Sequence, residues 1–182
     1  MCALPWRAAR AMFETQHDFN YLDTDTLKTQ CIITNKAITV RDMAYQAVII
    51  DGPGFADAAA LDLLKPMSDA GRVIAYRDAV PGVSITAPDA ATLAKTLDAL
   101  VFPDVRIVPA NPDLRYLHLR LPEANVYLFA NEGRAAIESK LYIATYPPQQ
   151  WWDPQTAQVI EDAPMDRLAL PPLTTRILVA GA

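Results

Sequence analysis

The sequence predicts an α/β portion followed by an all-β portion. Up to about residue 112, short continuous apolar runs alternate with segments in which leucines recur at helical spacing, which is typical of a parallel sheet with flanking helices. From residue 113, apolar and polar residues alternate with period two between turns, which is typical of an antiparallel β-sandwich. We therefore expect an α/β domain at 1–112 and a β-sandwich domain at 113–182.

The stretch 45–76 predicts a β-α-β crossover, the unit that fills the middle of a parallel sheet. Residues 47–50 and 73–76 are apolar runs that we expect to be buried strands. Pro66 in the intervening helix predicts a kink or a restart, because proline removes a backbone hydrogen bond and clashes with the preceding turn. The helix is predicted from apolar side chains at helical spacing and a closing glycine: Leu61, Leu64, Met67 and Gly71.

Three further elements are expected before this stretch. Residues 5–16 predict a helix with a proline in its first turn and one apolar face. Residues 19–22 predict a brief strand. Residues 31–34 and 37–40, joined by an Asn-Lys turn, predict a small hairpin beside the sheet. The apolar face of the helix is formed by Trp6, Ala9, Met12 and Phe13.

The rest of the α/β portion predicts a short extended piece, a helix and a strand. The extended piece lies at 83–86 and the strand at 105–108. The helix at 90–100 follows a capping-box spacing between Thr86 and Asp89.

The all-β portion predicts strands separated by turn residues. A turn at 131–133 follows the second strand, and Pro147-Pro148 interrupts the pattern after the third. The expected strands lie at 116–121, 126–130, 137–143, 159–160 and 174–179.

Composition argues against several classes of partner. The chain of 182 residues has a net charge of −5 with scattered basic residues, which argues against nucleic acids and anionic membrane surfaces as partners. No apolar run approaches the ~20 residues needed to span a bilayer. Arg7 and Arg10 interrupt what would be the apolar core of a signal peptide. We therefore expect a soluble chain and assign it to no compartment. A neutral sugar or a protein remains possible as its partner.

The sequence predicts no metal site and no cofactor. Cys2 and Cys31 have no metal-ligand spacing, and two histidines are too few for a His-rich site. The acidic segment 18–25 lacks the glycine and the later glutamate of a calcium-binding EF-hand loop. Its aspartates are therefore expected in turns and helix caps.

No catalytic residue is predicted. Residues 51–54 follow a buried strand at the edge where open α/β sheets bind ligands, but the phosphate-loop and dinucleotide fingerprints are missing. A tight turn is the favoured interpretation, and a small enzyme site near Asp51 is an alternative. The chain also has no Gly-x-Ser-x-Gly elbow. The carboxylate pairs 23/25 and 161/162 fall in turn-like segments and are expected to be solvated.

Three side chains are candidates for sugar binding: Trp151, Trp152 and His118. Aromatic faces stack on sugars as they pack on other apolar surfaces. Adjacent strand residues point to opposite sides, so at most one of the two tryptophans would face a ligand while the other packs inward. For the two tryptophans, packing in the core or between domains is favoured over sugar binding. His118 alternates with leucines on a strand and is expected to be exposed or interfacial.

Four segments of the β portion follow a recognisable order: Tyr-Leu-His-Leu-Arg at 116–120, Asn-Val-Tyr-Leu-Phe-Ala-Asn at 125–131, Trp-Asp-Pro-Gln-Thr at 152–156 and Leu-Thr-Thr-Arg at 173–176. They resemble the C-terminal region of family 106 glycoside hydrolases, the α-L-rhamnosidase group. Residues 17–23 followed by 45–51 resemble the glutamine-amidotransferase-like module that precedes the sandwich in such enzymes. Two positions depart from the pattern: Leu119 separates the histidine and the arginine, and Ala157 stands where glycine is expected.

The resemblance implies a flavodoxin-like parallel sheet without an amidotransferase nucleophile, followed by a β-sandwich. It matches only a late portion of a much longer bacterial enzyme, whose catalytic carboxylates and calcium site lie in an upstream barrel. The expected function is a non-catalytic C-terminal portion, or a free-standing relative, with a structural or assembly role. A catalytic barrel, a second copy of the chain or a carbohydrate would be its partner. The alternative is an independent carbohydrate-binding module that uses Trp151 or Trp152.

Overall fold

The computed structural model describes residues 6–144, 149–161 and 163–181. They form two compact units: residues 6–12 with Asp18–Phe102, and Phe13–His17 with the described residues from Pro103 onward. The fold is mixed α/β with a β-rich second unit, which confirms the fold class at this coarse level. The predictions for Cys2, Pro5, Pro147–Pro148 and Asp162 fall outside the described residues.

Within the described ranges the chain forms helices α1 (Trp6–Glu14), α2 (Thr24–Thr29), α3 (Ala58–Asp69) and α4 (Ala90–Leu100), and a short 3-10 turn at Pro53–Phe55. The strands are β1 (Cys31–Ile33), β2 (Ile38–Val40), β3 (Met43–Tyr45), β4 (Val48–Ile50), β5 (Val73–Tyr76), β6 (Ile85–Ala87), β7 (Val105–Val108), β8 (Leu114–Arg120), β9 (Ala124–Asn131), β10 (Ile137–Ile143), β11 (Gln149–Asp153), β12 (Gln158–Ile160), β13 (Arg167–Leu170) and β14 (Thr175–Gly181). Among these helices none is long and apolar enough to cross a bilayer.

The first unit contains a parallel sheet of three strands in the order β4-β5-β6. Helix α3 connects β4 to β5, so the predicted β-α-β crossover is present. All four residues of β5 are buried, because side chains cover both faces of the sheet. Met67 of α3 packs in one cluster with Val73, and Leu93 of α4 packs in another with Ile74. The central strand therefore reads as a continuous apolar run.

Helix α3 continues through Pro66 as one element. Of the predicted kink or restart, the restart is therefore wrong, and the kink stays a prediction. Leu64 and Met67 lie on either side of the proline and are both buried. Their packing against the sheet offsets the unfavourable backbone preference of an interior proline, as tertiary contacts often do.

The apolar face predicted for helix α1 also needs correction. Trp6 and Phe13 are exposed, whereas the buried residues of the helix are Ala8, Ala9, Ala11 and Met12. Small side chains on the buried face let the helix backbone approach its neighbours closely, which a large indole would prevent. The strand predicted at 19–22 is absent, and the chain runs without regular structure into α2.

Aspartates cap three helices. Asp23, Asp57 and Asp89 are the N-cap residues of α2, α3 and α4, and each carboxylate accepts a hydrogen bond from the backbone amide three residues later, at 2.7–2.8 Å. The capping role expected of the aspartates in segment 18–25 is thus present at Asp23. For α4 the predicted capping box is wrong, because Asp89 rather than Thr86 is the cap.

Acid is expected to weaken the cap of α4. The hydrogen bond from the Thr92 amide lowers the pKa of Asp89 below its ordinary value of 3.8. A carboxyl group whose pKa is lower in the folded state adds stability above its unfolded pKa and loses it as the pH falls through the folded value. The urea midpoint should therefore fall less in Asp89→Asn than in the natural chain between about pH 6 and about pH 3. Equal losses in the two proteins would contradict this assignment.

The hairpin predicted at 31–40 is present as the antiparallel pair β1-β2. Strand β3, which was not predicted, adds to β2 and completes a small three-stranded sheet. Ile38 of β2 is fully buried and belongs to the cluster that contains Met67 and Val73. The hairpin is thereby part of the core on the α3 side of the parallel sheet.

The second unit contains two antiparallel sheets. One has five strands in the order β12-β11-β14-β9-β8, and the other has three in the order β13-β10-β7. Their buried side chains form one hydrophobic core. Strand β7 lies where a strand was predicted, but it pairs antiparallel with β10 in this unit rather than with the parallel sheet. The proposed domain boundary at residue 112 stays a prediction.

The faces of β8 are reversed relative to the simplest interpretation of its sequence. Leu117 and Leu119 are exposed, whereas Tyr116 packs against the core and the His118 side chain is only 11% exposed. On the neighbouring strand β9, Tyr127 and Phe129 are fully buried. Aromatic side chains of β8 and β9 therefore face the core together with Leu114, whereas Leu117 and Leu119 lie on the opposite face of the sheet.

Candidate functional site

Trp151 is a core residue. Its side chain is 1% exposed and lies beside Phe129, with ring centroids 5.8 Å apart. The indole nitrogen donates a hydrogen bond to the carbonyl oxygen of Pro164 at 3.0 Å, so its polar atom is satisfied within the unit. This is the packing that the sequence favoured, and a ligand would have to displace the core to reach the ring; a sugar-binding role for Trp151 stays a prediction.

Trp152 points to the other side of the same strand. It is partly exposed, and its indole nitrogen is buried without a hydrogen-bond partner among the described residues. Its cross-strand neighbours are Ile177 on β14 and Val159 on β12. The ring thus lies in an apolar surface, and of the two tryptophans it is the one that a ligand or a partner could contact.

His118 lies in a hydrogen-bonded chain of side chains within the second unit. Its Nδ1 atom contacts a carboxylate oxygen of Asp104, and its Nε2 atom lies 2.9 Å from Oδ1 of Asn125. The Asn125 amide nitrogen donates to the carbonyl oxygen of Gly181 at 3.0 Å, which turns Oδ1 toward the imidazole. The His118 ring also stacks on Tyr127, with centroids 4.1 Å apart.

This geometry gives His118 a structural role. In a catalytic Asp-His pair, the second ring nitrogen faces the group that gives or receives a proton. Here both ring nitrogens are held by side chains of the unit. The network ties β8 and β9 to the end of β14 and to the segment before β7. Of the two expected positions, exposed or interfacial, the exposed one is wrong, because the His118 side chain is largely buried against Tyr127; the interfacial one stays a prediction.

Asp51 is buried at the carboxyl end of β4, where a ligand site was considered. Its carboxylate accepts hydrogen bonds from the backbone amides of Arg7 and Ala8 at 2.9 and 3.2 Å, and from Nε of Arg7 at 3.0 Å. Arg7 also donates to the Asp51 carbonyl oxygen and to Asp78. The edge of the sheet is thereby occupied by the first turn of α1, which argues against an enzyme site at Asp51.

Gly52 makes this arrangement sterically possible. Its φ is +96°, in the region that favours glycine. A Cβ atom at this position would lie 2.9 Å from the guanidinium nitrogen Nη2 of Arg7. The Asp-Gly-Pro-Gly run is therefore a turn that lets Arg7 cover the end of β4, as the favoured interpretation of the sequence held.

The remaining candidate groups form no reactive cluster among the described residues. No group of three or more His, Cys, Asp or Glu side chains there could hold a metal ion. Asp23 is engaged as a helix cap, and Glu161 is exposed. Cys31 is partly buried, and burial is the main cause that raises the pKa of its thiol. A raised pKa disfavours the nucleophilic thiolate.

A cavity of about 270 Å³ lies in the first unit between α3 and the loop at 81–83. Its wall includes Lys65 and Asp69, which form an ion pair one helical turn apart at 2.9 Å. Such exposed pairs at i and i+4 are common on helix surfaces. The cavity lies beside α3 rather than beside Asp51, so it brings together none of the residues singled out from the sequence.

Asn131 is a buried polar residue whose role the sequence did not reveal. Its side-chain nitrogen donates to the carbonyl oxygens of Ala135, Leu170 and Pro171 at 2.8–3.2 Å, and its Oδ1 accepts the Gly133 amide at 2.9 Å. These bonds join the turn after β9 to the last residue of β13 and to the residue that follows it. Its position at the end of an apolar strand, before a glycine turn, was the signal that could have indicated a structural role. Its partners Leu170 and Pro171 could not have been predicted, because they are distant in sequence.

No protein-family model matches the chain, and no curated protein matches its sequence. Solved structures do match its fold. A rhamnosidase from Novosphingobium sp. PP1Y superposes with a TM-score of 0.65 at 14% identity, over 92% of this chain and 20% of the rhamnosidase chain. The apo exo-carrageenase GH42 from Bacteroides ovatus superposes with a TM-score of 0.62 at 11% identity, over 97% of this chain and 26% of the carrageenase chain.

At such low identities these matches show a shared fold. The chain spans 20% and 26% of the lengths of the two proteins. It therefore has the fold of one part of each of these much longer chains, and both units contribute to the match because nearly all of this chain is covered.

Proposed function

We propose that this chain is a non-catalytic accessory portion of a rhamnosidase-like glycoside hydrolase of family 106, or a free-standing relative of such a portion. The observation that carries the proposal is that the superposition includes nearly all of this chain but only a small part of each neighbour. More than nine-tenths of this chain superposes on the rhamnosidase and on the carrageenase, but only 20% and 26% of those chains are involved. The larger remainder of each neighbour lies outside the shared fold, and the proposal assigns catalysis to such a remainder.

The finer architecture fits this proposal. The first unit would correspond to the glutamine-amidotransferase-like module, with a parallel sheet covered on both faces. The second unit would correspond to the β-sandwich, with two antiparallel sheets around one core. The described arrangement supports both identifications through topology, and the order of the two units agrees with the order in the resembled enzymes.

The polar residues of the chain support an accessory role as well. Asp51 is saturated by Arg7 and Ala8, and His118 is held between Asp104 and Asn125. Both side chains stabilise contacts between elements of their own unit. Groups that do chemistry need a free acceptor or donor directed at a substrate, and neither of these two residues presents one.

Carbohydrate binding through Trp152 is a second candidate function. The observation that favours it is the position of the ring, partly exposed on the outward side of β11. Aromatic rings that bind sugars are usually accompanied by polar groups that orient the hydroxyls. The cross-strand neighbours of Trp152 are Ile177 and Val159, so the accessory role is preferred.

An activity and binding assay tests the proposal. The purified chain should release no nitrophenol from 4-nitrophenyl α-L-rhamnopyranoside above a buffer blank. Its tryptophan fluorescence should not change on titration with rhamnose or with carrageenan oligosaccharides. Turnover by the chain alone would overturn the accessory role. A saturable fluorescence change that is lost in Trp152→Phe but kept in Trp6→Phe would instead favour the binding module; Trp6 is the matched control because it is exposed elsewhere.

A further inference from the structure

The five-stranded sheet of the second unit has an apolar face on the side away from the core. Strand register places five side chains in one row across all five strands: Leu117, Leu128, Ile177, Trp152 and Val159. A second row, one step further along the strands, contains Leu119, Val126 and Val179 and ends at Gln150. We call these two rows the outer face.

The same sheet is apolar on its other side as well. Trp151, Leu178, Tyr127 and Phe129 alternate along their strands with the residues of the outer face and are buried in the core. An antiparallel sheet with one face exposed to solvent normally carries polar side chains on that face. The outer face thus has the composition of a covered surface.

The outer face is nevertheless open in the single chain. Leu117, Leu119 and Val159 are 51%, 47% and 39% exposed, and the members between them are partly exposed. Contiguous apolar patches of several hundred Å² are uncommon on monomeric proteins and mark sites of interaction. Scattered exposed leucines would need no explanation, but an unbroken row across five strands does.

Charge points to the kind of partner that fits. Neither row contains a charged residue. Arg115 lies at one end of the face, and it is paired with Glu132 at 3.2 Å. The chain as a whole carries a net charge of −5, so two copies repel each other wherever charged surfaces meet. At the outer face they would bring no like charges together and would bury no unpaired charge, the costly event in an interface.

The area is sufficient for self-association. The whole outward side of the sheet, which includes the outer face and the strand ends beyond its two rows, has five strands spaced ~4.8 Å apart; at an average of about six residues of ~3.4 Å each, its footprint is roughly 500 Å². Two copies in contact would bury about 1,000 Å², which is the lower limit for a specific interface. The outward side of the sheet is therefore large enough for a weak dimer when its full length is in contact, with the outer face at the centre of that contact.

We propose that the outer face docks on the same face of a second copy of this chain, around a two-fold axis. Two such sheets would stack about 10 Å apart, as packed sheets do. The axis would pass near Ile177, in the central strand, so that Leu117 at one edge of the row meets Val159 at the other edge in the partner. This inference goes beyond the proposed function and does not rest on it, since it concerns the surface of the purified chain alone.

Light scattering coupled to gel filtration, across micromolar to sub-millimolar concentrations, tests the proposal. The mass should rise with concentration from 20.0 kDa toward twice that value. Leu128→Glu should weaken the dimer by about tenfold or more, because a buried unpaired carboxylate is strongly disfavoured. Tyr142→Glu is the matched control, since Tyr142 is an exposed strand residue of the other sheet, and it should leave the dimer unchanged.

Two further variants keep the test decisive. Leu117→Glu changes a more exposed member of the row and serves if Leu128→Glu fails to fold by circular dichroism. A mixture of Ile177→Glu with Ile177→Lys should restore the dimer that each variant loses alone, because opposite charges then meet near the axis. A mass of 20.0 kDa at every concentration would overturn the proposal, and the outer face would then be assigned to a different partner. So would a dimer that survives Leu128→Glu and Leu117→Glu.

Discussion

Replacing Trp151 by alanine is expected to lower the free energy of unfolding of the second unit by about 4 kcal/mol, within the range for truncating a buried tryptophan. The side chain fills the centre of the core beside Phe129. Alanine would leave a cavity and would also leave the Pro164 carbonyl without its donor. Urea unfolding followed by far-ultraviolet circular dichroism measures the loss.

Trp152→Ala is the matched control for this prediction. The two residues are adjacent on β11, but Trp152 is partly exposed on the outer face. Its truncation should lower the free energy of unfolding by about 1.5 kcal/mol, since the Trp152 ring buries less apolar area on folding than the Trp151 ring does. The comparison is made in dilute protein, where the outer face is uncovered. Equal losses in the two variants would contradict the assignment of Trp151 to the core.

The paired tryptophans show how far sequence reasoning reaches. Strand alternation alone required that Trp151 and Trp152 face opposite sides. It could not decide which one points inward, because both faces of this sheet are apolar. The same ambiguity explains the error at His118. Alternation placed Leu117 and Leu119 on one side of β8 and His118 on the other, but the side with these two leucines is the exposed one.

Errors of pairing have a different origin. Strand β7 was predicted at its position, but its partner β10 lies about thirty residues further along the chain. Local periodicity contains no information about such a distant partner. The bonds of Asn131 to Leu170 and Pro171 are equally non-local. Elements were therefore predicted better than contacts between them, and the parallel crossover succeeded because its two strands are joined by a single helix.

Ala157 adopts a backbone conformation that glycine usually supplies. The resemblance calls for a glycine after the Trp-Asp-Pro-x-Thr turn, and Ala157 stands there instead. Ala157 adopts a φ of +54°, in the left-handed region, and its amide donates to the Asp153 carbonyl oxygen at 2.9 Å. Glycine adopts this conformation without strain. The turn therefore keeps the backbone geometry that a glycine would supply, although the residue differs.

Replacing Asp51 by alanine is expected to lower the free energy of unfolding of the first unit by about 3 kcal/mol, because buried donors would be left without an acceptor. The amides of Arg7 and Ala8 would lose their shared acceptor, and the Arg7 guanidinium would lose its buried partner. The first turn of α1 should then detach from the end of β4. Hydrogen exchange at residues 7–12 reports this detachment, and urea unfolding reports the loss of stability.

Asp78→Ala separates this role from general charge effects. Asp78 also pairs with Arg7, at 3.2 Å, but its side chain is 59% exposed. An exposed pair contributes less than about 1 kcal/mol, so this variant should unfold close to the natural chain and keep slow exchange in α1. Asp51→Asn should fall between the two, since an amide oxygen still accepts one of the backbone amides but carries no charge for Arg7. If Asp51→Ala were as stable as Asp78→Ala, the buried carboxylate would not be what holds α1, and its burial at the strand end would again call for a ligand.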